Sequence, residues 1–149
     1  MPLPLIYHED YSPEFPAEHR FPMDKFRLLH DHLIDSGLTT DQALLRPDIC
    51  PNDILALAHD RSYIERYMNG DLSREDQRRL GLPWSEALAR RTVRAVGGSL
   101  LSAEMALQHG IACHLAGGTH HAHYDHAIGL ILPFGQQGLT ERNLLNHLG

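Results

Sequence analysis

Residues 120–126 read His-His-Ala-His-Tyr-Asp-His, which places four imidazoles, a carboxylate and a phenol in seven positions. Neutral imidazole and carboxylate are good zinc ligands, and water bound to such an ion can ionise near pH 7. On this basis His121, His123, Asp125 and His126 are candidate ligands for Zn or a similar divalent metal. The same residues could equally form a hydrogen-bonded loop that holds no metal, and their types leave both readings open. Tyr11 and Tyr124 are accessory candidates, because a phenol can donate to an oxyanion.

Something must carry this cluster to its place. Residues 3–7 read as a short buried strand, followed by a loop over 8–22 that contains three prolines. A helix is expected from Pro22 to about residue 34, stopped by Gly37. Thr39 with Gln42, and Ser62 with Glu65, have the spacing of capping boxes for two further helices, the second ending at Gly70. Residues 51–59 and 73–80 are also read as helical. Ser85 caps the longest helix, which runs to about residue 109 with Leu88, Thr92, Val96, Leu100, Ala103 and Leu107 on one face. Gly97-Gly98 interrupts it at a cost of roughly 1 kcal/mol each, which implies a close packing contact there. Gly110 closes that helix, and residues 111–116 read as a buried strand leading straight into the histidines. In open α/β sheets, ligands and chemistry are found past the carboxyl ends of strands.

Composition narrows the classes. The 149 residues suffice for one domain with a real core, and 42% hydrophobic with 21% charged residues is an ordinary soluble balance. A net charge of -6 argues against nucleic acid as a partner. No apolar run reaches the ~18–20 residues of a membrane span, so no membrane partner is expected, and no signal peptide is legible. The two cysteines form no CxxC, so a reduced, cytoplasmic setting is the default. Twelve histidines against thirteen Lys plus Arg favour metal or proton-transfer chemistry. Other candidates are poorer. His30-Asp31-His32 lies on the first helix, where adjacent side chains diverge. Cys113 reads as a structural thiol, and Ser99 and Ser102 have no evident base or GxSxG elbow.

Four blocks, "PLIYHEDYSPEFPAEHRFPMDKFRLL", "LALAHDRSYIERYMNG", "RRLGLPWSEALARRTVRAVGGSLLSAEMAL" and "HLAGGTHHA", resemble in order the histone deacetylase superfamily, over about residues 3–126. The nearest branches are the bacterial deacetylase-like and acetoin-utilisation proteins and the class IV deacetylases. The resemblance implies an α/β fold of the arginase/deacetylase type, a parallel sheet flanked by helices, and Zn-dependent amide or ester hydrolysis. It implies that His120 and His121 are the catalytic proton-transfer pair. It also brings the N-terminal loop, with His8 and His19, near the active site as accessory candidates.

The chain departs from that family near Ala127. The family's Asp-x-His zinc ligands occur nowhere in it, and "AIGLILPFGQQGLTERNLLNHLG" replaces the usual continuation. The expectation is a helix-rich, truncated half of the fold with few strands. It comprises a deacetylase-like fragment over 1–126 and a divergent tail over 127–149, produced by truncation or a frameshift. Open sheet edges would then favour a homodimer, with exchanged tails as one route. Locally, residues 119–130 are also similar to the HxHxDH metal motif of metallo-β-lactamase-fold hydrolases, although the preceding chain lacks that fold's hairpins. Two functions follow. One is a small metal-dependent hydrolase whose small-molecule substrates are activated esters, amides or phosphoesters, since an improvised site favours good leaving groups. The other is a catalytically inactive deacetylase-like fragment or dimerisation module.

Overall fold

Two strands of two residues each, from opposite ends of the described chain, form the sheet of this computed structural model, which describes residues 2–116 and 123–125. His120, His121 and His126, and the strand and helix expected within 127–149, lie outside those residues. In chain order the elements are β1 (Leu5–Ile6), α1 (Lys25–Asp35), α2 (Asn52–Leu55), α3 (Arg61–Asn69), α4 (Arg74–Leu80), α5 (Glu86–His109) and β2 (Cys113–His114). Short 3-10 turns occupy Glu9–Tyr11 and Asp41–Ala43.

β1 and β2 are parallel, with Leu5 opposite Cys113 and Ile6 opposite His114. On its other side β1 is flanked by Leu45, whose N–H donates to Leu5 O at 2.9 Å and whose carbonyl accepts from Tyr7 N–H at 3.0 Å. Parallel strands need a crossover of a dozen residues or more, and here the crossover contains every helix of the described residues. The architecture is therefore α/β and helix-rich with few strands, as the sequence predicts. The expected strands are longer than the observed ones. Leu3 and Ile111 are exposed, so their ends of the two segments offer nothing to bury, whereas Ile6, Tyr7, Leu115 and Ala116 are buried.

α5 is the central support. Ser85 accepts from Leu88 N–H at 3.0 Å, which satisfies one of the first-turn donors, and Gly110 ends the helix. Its first half buries Leu88, Ala89, Val93, Ala95 and Val96, and the helix contacts both strands, the Glu9–Tyr11 turn and α3. The close contact expected at the glycine pair is present. A Cβ on Gly97 would collide with the carbonyl oxygen of Asp48, because the 48–50 segment lies directly on the helix and Cys50 N–H donates to Val93 O at 2.9 Å.

Three helix starts differ from expectation. α1 begins at Lys25 rather than Pro22, with a turn between them that Lys25 N–H closes on Pro22 O. Thr39 and Gln42 form no capping box. Thr40 is the cap of a 3-10 turn and makes no side-chain cap bond. α3 starts at Arg61, with Asp60 rather than Ser62 as its cap; the Asp60 carboxylate accepts from Tyr63 N–H at 3.1 Å. Asp60 competes with Ser62 for the same role, and local sequence permits either. The loop over 8–22 also contains the Glu9–Tyr11 turn, which precedes its first proline. Among the described residues no helix is long and apolar enough to cross a membrane.

Candidate active site

β2 carries the chain through Leu115 and Ala116, both buried, to its carboxyl end, where the Thr119-His120-His121 block follows in sequence. Immediately behind that end lies a part-buried polar chain centred on His114, a residue the sequence reading did not single out. Tyr11 Oη and His114 Nε2 are 2.8 Å apart, and Ser99 Oγ lies 3.3 Å from His114 Nδ1. Both partners of the imidazole are hydroxyls, each able to donate or accept, so either neutral tautomer is satisfied. Gly98 makes room for this group: a Cβ there would meet both Tyr11 Oη and His114 Nε2. Burial, reinforced by the Arg91 guanidinium, lowers the His114 pKa to about 4, so the ring is neutral at pH 7.

Arg91 is 1% exposed. Its Nε donates to Tyr11 O at 3.0 Å, and its guanidinium lies 4.8 Å from the Phe26 ring centre. Burial lowers its own pKa to about 10. Arg94, beside it on α5, bonds Asp10 Oδ2 at 2.9 Å and Pro47 O at 3.0 Å. The N-terminal turn is thus tied to α5 by two arginines, and Tyr11 is held at both its carbonyl and its hydroxyl.

The other end of the cluster is held from a different side. His59 Nδ1 donates to His123 O at 2.8 Å, and Asp60 N–H donates to Tyr124 O at 2.9 Å. His59 is 2% exposed, and burial lowers its pKa below the ordinary histidine value. His123, Tyr124 and Asp125 are all exposed.

The structure places the accessory candidates as follows. Tyr11 is wholly buried with its hydroxyl engaged by His114, and Tyr124 is exposed. His8 accepts from Asp10 N–H at 3.0 Å and so caps the 3-10 turn. His19 accepts from Phe21 N–H on Nδ1 and donates from Nε2 to Gly81 O, both at 3.1 Å, beside a surface depression lined by Glu18, Gln77 and Leu82. His30 does meet Asp31, but through Nδ1 at 2.9 Å, while Nε2 meets Asp41 Oδ1 at 3.1 Å. Its two nitrogens thus face two different carboxylates, which is an ion-pair arrangement and not a chelating one. Cys113 is a half-buried free thiol, and Ser99 has His114 as its neighbour after all. Among the described residues no group of three His, Cys, Asp or Glu side chains is placed to hold a metal ion.

The signals for the missed residues were faint. His114 is a single histidine among apolar neighbours in sequence, His59 a single histidine ahead of Asp60 and Arg61, and Arg91 one of two adjacent arginines. Only their partners, 103, 64 and 80 residues away, distinguish them.

The histone deacetylase domain model matches residues 19–131. An uncharacterized protein of Picosynechococcus sp. (strain ATCC 27264 / PCC 7002 / PR-6) is 42% identical over 154 aligned positions, covering 97% of this chain and 51% of the relative. The acetoin utilization protein AcuC of Staphylococcus aureus (strain COL) is 27% identical over 128 positions, covering 79% of this chain and 33% of that protein. The chain therefore spans about half the length of the first relative and a third of the second. Among solved structures, the HD domain of HDA15 superposes with a TM-score of 0.76 at 16% identity, covering 97% of this chain and 43% of that one. An HDAC homolog from Aquifex aeolicus gives 0.75 at 20% identity, covering 99% and 42%. These likenesses establish the deacetylase-type α/β fold. The chain belongs to the histone deacetylase domain family.

Proposed function

We propose that this chain is a metal-dependent hydrolase of the deacetylase type, acting on activated esters, amides or phosphoesters. The observation that carries the reading is the family match, which takes in the Thr119-His120-His121-Ala122 block that follows β2 in sequence. His120 and His121 are the acid/base pair, one taking a proton from the attacking water and the other giving one to the leaving group. His121, His123, Asp125 and His126 are the donor set for a divalent ion, zinc first; where His121 ligates the ion, its lone pair is taken and the proton-transfer role falls to His120. Imidazole and carboxylate suit zinc, and the exposure of His123 and Asp125 is compatible with ligand access. A bound ion would supply Lewis-acid activation of water. The Tyr11–His114–Ser99 chain holds β2, which the histidine block follows in sequence. A homodimer with exchanged tails is proposed as the assembly.

The test is metal analysis of chelator-treated and reloaded protein, with assays on p-nitrophenyl acetate, an acetyl-lysine anilide and a phosphotriester. Turnover should fall at least about a hundredfold on chelation and in His121→Ala. Turnover indifferent to chelation and to His123→Ala would overturn the proposal. Absence of all turnover would favour the inactive, dimer-forming alternative, which sedimentation can then examine.

A further inference from the structure

His59 is an expensive residue for its position. An imidazole at 2% exposure loses its water and must spend its donor inside the protein, or the burial is uncompensated. It spends it on His123 O, 64 residues away in sequence, at 2.8 Å. A carbonyl can only accept, so Nδ1 carries the proton. The ring is set by its own backbone, since His59 N–H donates to Leu55 O at 3.0 Å in the turn that follows α2, and it lies 6.2 Å from the Tyr63 ring.

The next residue acts in parallel. Asp60 caps α3 with its carboxylate, but its own N–H remains to be satisfied. In a capping box, the third residue of the helix would return a Glu or Gln side chain to that N–H. Here that residue is Tyr63, and the N–H donates instead to Tyr124 O at 2.9 Å. Two consecutive donors therefore grip two consecutive carbonyls. One bond fixes a point, whereas two in succession fix the direction of the backbone as well. The gripped residues are all exposed, so burial contributes little to fixing them. They follow His120-His121 with Ala122 between.

We propose that His59 is a positioning residue: with the Asp60 amide it forms a two-point backbone clamp that fixes the chain at His123 and Tyr124, and through that anchor it constrains the proposed His120-His121 pair, which precedes it in sequence. This rests on the reading of the pair as the acid/base groups. The clamp can nevertheless be measured without turnover.

The experiment uses the full chain. In the native protein, nitrogen-15 spectra of the His59 ring should show the Nδ1–H tautomer; an Nε2–H ring with bare Nδ1 overturns the clamp whatever any variant does. His59→Phe keeps the bulk and removes the donor, and His59→Asn returns an N–H near the Nδ1 position. Exchange of the Asp60 amide should rise about tenfold in His59→Phe and stay within about threefold of native in His59→Asn, with α5 amides unchanged in both. Uniform acceleration that includes α5, or no acceleration at Asp60, overturns the proposal. If His59→Phe fails to fold, the tautomer and His59→Asn still decide. Where the protein turns over an ester, kcat should fall about tenfold in His59→Phe with KM unchanged. A native protein with the clamp intact but without turnover would sink the catalytic reading and leave the clamp standing.

Discussion

Tyr11 and His114, 103 residues apart, meet through Oη and Nε2 at 2.8 Å, and this bond joins the N-terminal 3-10 turn to the end of the sheet. Tyr11→Phe removes the hydroxyl and strips one imidazole nitrogen of its partner inside the protein. The expected loss is about 1–3 kcal/mol of stability in urea unfolding. A change within a few tenths would mean that water substitutes at once and that the bond is incidental.

Gly98 stands against both members of that pair. Gly98→Ala should cost about 2 kcal/mol, because the new methyl must displace a fixed ring or a fixed phenol. Combined with Tyr11→Phe, the loss should be smaller than the two single losses together, since one obstacle is then gone. Strict additivity in the double-mutant cycle would place the cost of the methyl elsewhere.

The neutral His114 makes stability fall with acid. Its pKa is about 4 in the folded protein against 6.5 for the ordinary side chain, so the unfolded chain takes up the proton first. Above pH 6.5 the group contributes no slope. Between about 6.5 and 4 stability declines, by roughly 3 kcal/mol at most, and below that it levels off. His114→Asn should flatten this part of the curve. Arg91→Met should raise the lower edge slightly, since burial is the larger cause and Arg91 the smaller.

His30 should act with the opposite sign. Burial pulls its pKa down, but the hydrogen bonds and charges of Asp31 and Asp41 together carry it above the usual value. Arg46 Nη2 shares the same Asp41 oxygen at 2.7 Å and also reaches Glu9, while the Tyr7 ring stacks on His30 at 4.3 Å. The stabilisation is complete below pH 6.5 and disappears as pH rises through the raised value. Proton NMR of the ring should show this, with Asp41→Asn moving the midpoint down. An unmoved midpoint would mean that the pair is not formed in solution.

Much of this framework was legible beforehand because it is local. α5 announced itself by its apolar period, the Ser85 cap and the Gly110 stop, and Gly97-Gly98 foretold a close approach. What that glycine pair approaches was not legible, because Asp48, Tyr11 and His114 arrive from three other segments. The same holds for His59, whose chemistry is a carbonyl far along the chain. The α3 start was misplaced because Asp60 and Ser62 are equally good caps by type. The candidate ligands His123 and Asp125 were visible by residue type, whereas the backbone clamp beside them carries no side-chain signature.

Metal binding should register in stability before it registers in catalysis. Zinc at a hundred times its Kd should add about 2.7 kcal/mol to the folded state, seen as a higher Tm that chelator reverses. His123→Ala should remove most of that gain. Identical melting curves with zinc and with chelator would rule out the proposed donor set.

The parallel pair of β1 and β2 has a kinetic consequence. Each strand is two residues long, and together they enclose nearly the whole described chain. Joining them closes a loop of about a hundred residues, a cost of several RT that only the finished crossover can offset. The helices must therefore assemble first and the sheet last. Refolding should show helix content by circular dichroism ahead of protection at the Cys113 and Leu115 amides, which donate to Pro4 O and Ile6 O where the two segments pair. The pairing of β1 with β2 is thus the final piece of the described fold to form and, by the same reasoning, the first that unfolding releases.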